Sequence, residues 1–245
     1  MEVHHPHHPT HKKKLSEYII EFVMLFTAVT MGFFAENIRE HLADNEKKNE
    51  LIKSVSTDLK RDLNQLTFHR EFDLNKIKVC DSLIEILKKD PSQVDQQEYY
   101  RLLSKVVMYW HFIPNNRSRM DAESKGYLSI KENVELARYI SKYNFFLFDL
   151  EDVTNIFGRV SEKINLEKLK YMVEPDLYDK AFKFPGVPLP HKLGITKIDQ
   201  ENLKEYRLFL TDTKFSFQIA LYNIDSLQFY ANKAVAFIDK EYGNE

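Results

Sequence analysis

The sequence predicts an all-α fold: an N-terminal transmembrane helix followed by an elongated antiparallel helical bundle, four-helix-like with one helix interrupted. Three observations carry this. Only six glycines and eight prolines punctuate 245 residues, so turns are few and elements long. Apolar residues recur at spacings of three and four along most of the chain, and no stretch alternates with period two long enough to make a strand. One run near the N-terminus is apolar on nearly every face, whereas the later helices are amphipathic.

Residues 1–14, MEVHHPHHPTHKKK, are expected to form a disordered His/Lys-rich cytoplasmic tail, because Pro6 and Pro9 interrupt a polar segment with nothing to pack. Its five histidines have no fixed geometry, so no metal site is expected there.

Residues 15–42 are expected to be a transmembrane helix with a juxtamembrane extension. The core of this stretch, residues 15–35, would span about 31 Å as a helix, close to the hydrocarbon thickness of a bilayer. Glu17 and Glu21 shorten the strictly uncharged run to residues 22–35, about 21 Å, but both acids lie within reach of the lysine-side interface. The run ends Phe33-Phe34-Ala35-Glu36, without the small-x-small pair of a cleaved signal. Lys12, Lys13 and Lys14 precede the span and Arg39 alone follows it within ten residues, which puts the N-terminus on the cytoplasmic side. Ala28 and Gly32 form a small-xxx-small pair, with Thr27 and Thr30 beside it as hydrogen-bond donors to a neighbouring helix. Glu21 is an intramembrane acid, read either as functional or as a carboxylate snorkelling to the headgroups.

Residues 43–245 are expected to be the bundle. After Glu36 no proline or glycine occurs until Pro91, and Ile52, Val55, Leu59, Leu63, Leu66, Leu74, Ile77, Ile84 and Leu87 mark one long helix, continuous with or hinged to the anchor. Asp90-Pro91-Ser92 ends it. Asp95 with Glu98 starts a second helix reaching Trp110 and stopping near Pro114; Ser118 with Asp121 starts a short one ending at Gly126; Ser129 with Glu132 starts the next. That helix carries Leu136, Ile140, Tyr143, Leu147, Leu150, Thr154, Phe157, Ile164 and Leu169, and ends near Pro175. A brief turn at 176–182 and a loop at 184–194 come next. The last helix, from about Asp199 to Tyr242, has the clearest seam: Leu203, Tyr206, Leu210, Thr213, Phe217, Ala220, Ile224, Leu227, Ala231, Ala234 and Ile238. Phe209, Phe215, Tyr222, Phe229, Tyr230 and Phe237 lie outside that seam, and the expectation is a helix buried against several neighbours.

Several function classes drop out. A formal charge of −2 with interspersed signs argues against nucleic acid as a partner. The glycines are too scattered for a phosphate-cradling loop or a nucleophile elbow. Cys80 alone supplies neither a disulfide nor a thiolate metal site and is read as a small buried hydrophobe. None of His41, His69, His111 and His191 has a glutamate three residues before it, as a di-iron bundle requires. His69 and Asp73 sit one helical turn apart, but two ligands do not make a metal site, and the expectation is a solvated helix face. No catalytic residue, metal or cofactor is expected. The interruption of the bundle at Asn115, Asn116, Arg117, Ser124 and Gly126 is the candidate pocket or partner contact, against the alternative of a capped turn.

The anchor and the first part of the bundle resemble a family of uncharacterised bacterial single-pass membrane proteins, classed by a domain of unknown function. Glu21 matches that family's leading acid, Ala28 stands where its glycine usually falls, and Asn37 and Glu40 match its closing Asn and Glu; Ile38 stands where Trp is usual. Ser124-Lys125-Gly126-Tyr127-Leu128 and Tyr143 are similar to its Ser-Gly-x-Leu element and the tyrosines after it. The resemblance covers residues 15–150 and implies a membrane anchor with an extracytoplasmic helical domain, without a known activity. Joined to the lysine asymmetry, it implies a bacterial inner membrane, with the bundle in the periplasm.

The function expected is therefore a non-enzymatic scaffold or accessory subunit of an envelope complex, in contact with the lipid bilayer and a membrane or envelope protein partner, and a homo-oligomer. Two alternatives stand beside it. One is a ligand-sensing periplasmic bundle signalling through a partner, the other an acid-bearing subunit of an ion-driven membrane complex, built on Glu21.

Overall fold

The computed structural model describes residues 14–90, 93–106, 110–169 and 200–243, and these residues are all-helical with no strand among them. The helices are α1 (Leu15–Ile86), α2 (Gln96–Val106), α3 (Arg117–Ser124), α4 (Val134–Leu169) and α5 (Gln200–Tyr242). The tail at 1–13, Pro91-Ser92, the turn at 176–182 and the loop at 184–194 lie outside the described residues.

The chain divides into two compact units, Met1–Glu50 and Leu51–Glu245. In the first, α1 is long and apolar enough to cross a membrane. None of its most apolar stretch is buried. Phe22, Leu25, Phe26, Val29 and Phe33 are all exposed.

In the second unit the core is two clusters strung along the helices. One joins Val79, Cys80, Leu83 and Leu87 to Tyr99, Tyr100 and Leu103 of α2 and to Leu203, Tyr206 and Leu210 of α5. The other joins Ile52, Val55, Leu59 and Leu66 of α1 to Leu136, Ile140, Tyr143, Leu147 and Leu150 of α4 and to the Ala220–Ile238 stretch of α5. Each buried aliphatic or aromatic side chain in these clusters contributes about 1.5–3 kcal/mol by leaving water. The α5 seam is buried as the periodicity requires, from Leu203 to Ile238, with Phe217 half-buried. The side chains of Phe157, Ile164 and Leu169 lie outside the described set.

Helix ends follow local chemistry, with three shifts from expectation, two of which are that Trp110, expected in α2, lies in an irregular segment and that α3 starts at Arg117, with Asn116 and not Ser118 at its N-cap. Asp95 Oδ1 accepts from Gln97 N at 3.0 Å and Glu98 N at 3.4 Å, capping α2. The helix α4 is capped by Asn133, not Ser129: Asn133 Oδ1 accepts from Glu135 N and Leu136 N, both at 3.0 Å, while Ser129 closes a preceding turn. The short amide side chain at Asn133 outcompetes the Ser129/Glu132 pair because it stands directly before the first amides that need acceptors. Gly126, at φ 75°, ends α3 in a Schellman motif, with Gly126 N donating to Glu123 O and Tyr127 N to Ala122 O, each at 2.9 Å.

Two packing expectations are corrected. On α1, Leu74 and Ile77 are only half-buried, and Asp73 and Lys76 hold the buried positions beside them. On α5, Phe215, Tyr222 and Phe229 are exposed and do not widen the core. In both cases the helix has fewer neighbours around it than its apolar content could cover, so strict three-four spacing, not apolar count, decides which side chains go in.

Candidate functional site

The buried face of α1 in the second unit runs Ile52, Val55, Leu59, Asp62, Leu66, His69, Asp73, Lys76, Cys80, Leu83, an unbroken alternation of three and four. Between Leu66 of one core cluster and Val79 of the other, every buried α1 residue is polar: His69, Asp73 and Lys76. Facing them on α5, between Leu210 and Ala220, the buried residues are Thr213 and Ser216. The bundle therefore contains a polar layer between two apolar ones.

A small cleft opens at this layer, with about 40 Å³ that the centre of a water molecule can reach and about 600 Å³ only when the open solvent around its mouth is included. From α1 come His69, Phe72 and Asp73; from the irregular segment 110–116 come Trp110, His111 and Phe112. Helix α4 supplies Leu150, Val153 and Thr154, and α5 supplies Thr213, Ser216, Phe217, Ala220 and Ile224. Aromatic rings collar it. Trp110 meets Phe68 edge-on at 5.4 Å and Phe72 at 6.5 Å, and His69 meets Phe112 at 5.8 Å. His69 and Asp73, expected on a solvated face, are 7% and 8% exposed. Burial happens because their positions continue the seam, whatever their polarity.

The electrostatics stem from that burial. Asp73 is pushed up to about 7 by desolvation, against a smaller opposing pull from Lys76. Desolvation pushes Lys76 down to about 7, opposed by Cys80 and Asp73. Its ammonium donates to Val106 O at 3.0 Å and to Lys105 O, closing the C-terminus of α2, and lies 5.2 Å from the Phe72 ring. Desolvation and nearby His111 lower His69, which favours its neutral form. Cys80 is fully buried, its thiol pushed up to about 11 by burial, as fits a small hydrophobe.

A second polar cluster sits one step along α1. Asp62, 0% exposed, accepts from Asn115 N and Asn115 Nδ2, both at 2.8 Å, and from Tyr143 Oη at 2.7 Å. The Arg119 guanidinium lies 4.9 Å from the Tyr143 ring, and Asp58 accepts from Ser118 N at 3.3 Å. Burial, then the Asp62 charge, drives the Tyr143 hydroxyl upward, so it stays a donor at all ordinary pH. These bonds tie the segment 110–116 and the start of α3 to α1.

The residues singled out from sequence thus separate. Asn115 joins Asp62; Asn116 precedes α3 without a side-chain capping bond; Arg117 is exposed; Ser124 Oγ donates to Asp121 O at 2.8 Å; Gly126 forms the Schellman turn. The cleft is walled by other residues, beginning five positions before Asn115. In the first unit Glu21 is exposed, and a side chain at Gly32 would meet nothing within 4 Å, so the Ala28/Gly32 face is open. Thr27 is exposed, whereas Thr30 Oγ1 donates to Phe26 O at 2.7 Å, which leaves its oxygen as an acceptor for a neighbour.

Among the described residues His69, Asp73 and Ser216 share no hydrogen bond, since the Ser216 hydroxyl donates to Asp212 O at 2.7 Å. Among the described residues no three His, Cys, Asp or Glu side chains are grouped to hold a metal ion. No protein-family model, curated protein or solved structure matches the chain.

Proposed function

We propose that this chain is a non-enzymatic single-pass subunit of an envelope complex in a bacterial inner membrane, its N-terminus cytoplasmic and its bundle periplasmic, acting through helix–helix contacts. One observation carries the reading: the bundle leaves a row of large apolar side chains in water. Leu208, Phe215, Tyr222 and Phe229 repeat every seven residues along α5 and are 54–64% exposed. Phe145 and Phe148 of α4 are exposed as well, and Phe146 bridges the two helices by ring contacts with Tyr222 at 5.9 Å and Tyr230 at 5.8 Å. Contiguous exposed apolar patches of this kind mark interaction surfaces. In the membrane the open Ala28/Gly32 face is the second contact. The resemblance of residues 15–150 to anchored extracytoplasmic helical proteins points the same way.

The test is extraction of the full chain from native membranes in mild detergent, followed by particle mass and identification of what accompanies it. A partner in fixed ratio, or a homo-oligomer, is expected, and it should be lost in the triple variant Phe215→Ser, Tyr222→Ser, Phe229→Ser with helicity unchanged. A free monomer in the unaltered protein overturns the reading. The cleft favours a second reading, a ligand-sensing bundle that signals through such a partner.

A further inference from the structure

The cleft at the polar layer has a feature the interaction surface does not use. At about 100° per residue, Thr213, Ser216, Phe217, Ala220 and Ile224 cluster on one side of α5, roughly opposite Leu208, Phe215, Tyr222 and Phe229. The two surfaces are therefore separate.

We propose that this cleft binds a small organic monocation, a primary amine with a compact apolar body, through the Asp73 carboxylate. Asp73 is 8% exposed, yet among the described residues its carboxylate has no hydrogen-bond or ion-pair partner. A buried carboxylate without a partner is unfavourable and rare in a folded core. Among the described residues Arg119 Nη1 is the sole fully enclosed side-chain polar atom that lacks a partner, so the Asp73 oxygens remain accessible from the cleft they line. Among the described residues Asp73 is the one acid in the lining and no lysine or arginine lines it; Lys76, one turn on, directs its ammonium hydrogen bonds to the Val106 and Lys105 carbonyls.

The walls define the rest of the ligand. Phe72, Trp110, Phe112 and Phe217 present aromatic surface, which attracts an ammonium through the ring quadrupole and shelters an apolar body. Thr213 and Ser216 offer hydroxyl oxygens, and Ser216 has already committed its proton to Asp212 O. An ammonium brings three donors and no acceptor, which suits a carboxylate and hydroxyl oxygens together. Above about pH 7, where Asp73 is ionised, an anionic ligand would meet its charge and a neutral one would leave the carboxylate unpaired.

Trp110, the single tryptophan of the chain, stands at the mouth, so its fluorescence reports occupancy directly. The full chain in mild detergent is titrated with benzylamine, and in parallel with benzyl alcohol and benzoate, which keep the ring but replace the ammonium by a neutral and an anionic group. Expected is a saturable change with benzylamine at least tenfold tighter than with either analogue, and at least tenfold loss of benzylamine affinity in Asp73→Asn with unchanged helicity. No saturable response to benzylamine, equal affinities for the three compounds, or full affinity in a folded Asp73→Asn protein each overturns the proposal. Should Asp73→Asn not fold, the three affinities of the unaltered protein decide the matter alone. Neither outcome bears on the oligomer or partner captured through the α5 surface.

Discussion

Asp62 and Asp73 lie on the same face of α1, eleven residues and close to three turns apart, and both are buried. Their surroundings differ completely. Asp62 accepts three hydrogen bonds, from a backbone amide, a side-chain amide and a phenol. Asp73 has aromatic rings, two histidines and an opening around it, and no hydrogen-bond partner among the described residues. The difference separates a carboxylate that builds the fold from one that is left for something else to meet. Burial alone does not distinguish the two roles. The count of satisfied lone pairs does.

The contrast between the two acids predicts effects of opposite sign, and the largest is at Asp62. Asp62→Ala strands the donors of Asn115 and Tyr143 in the core, and should lower unfolding free energy by at least about 3 kcal/mol, read by denaturant titration of far-UV circular dichroism. A loss below about 1 kcal/mol would erase the contrast.

Asp73→Asn should instead stabilise, by about 2 kcal/mol at pH 8, because it removes a charge that the native state holds at a cost. The sign is set by the protons. The native Asp73 binds a proton up to about pH 7 that the unfolded chain releases at ordinary carboxylate pH, so rising pH through that interval lowers stability. Lys76 acts in the reverse direction above pH 7, where the unfolded chain still holds a proton that the native amine has released. The gain from Asp73→Asn should therefore disappear near pH 4, as a melting series from pH 4 to 8 would reveal.

Tyr143→Phe sharpens the first case. It removes one of the three donors to Asp62 without opening a cavity, and should cost about 1.5 kcal/mol in the same titration. The smallest effect belongs to a third acid, Asp239. It is partnered like Asp62, by Lys60 Nζ at 2.8 Å and Ser56 Oγ at 2.9 Å, but its side chain is about half exposed. Lys60→Ala should change stability by no more than about 0.5 kcal/mol and be insensitive to added salt thereafter, because water already screens the pair.

Much of this organisation is legible in the residues. The three-four spacing of α5 places nearly every seam residue correctly, and Cys80 reads as a buried hydrophobe for the same reason. The cleft escapes a reading of α1 by its apolar residues, because these slide from Leu66 to Leu74 and Ile77. Continuing the spacing itself from Ile52 through Leu59 and Leu66 leads to His69, Asp73 and Lys76. A polar residue at a seam position is the available signal. Arg119 carries no comparable signal, since α3 is two turns long and too short to show a period.

The sequence by itself determines the all-helical class, the positions of the helices and the apolar run of α1, because these depend on periodicity and local capping within a few residues. It also determines which face of α5 turns inward. Whether an inward acid is satisfied was decided only by the tertiary structure. The partners of Asp62 come from residues 53 and 81 positions away, and the aromatic collar near Asp73 joins α1 to a segment beyond α2. No period along one helix encodes what a distant segment brings to it, and that encounter separates the closed acid from the open one.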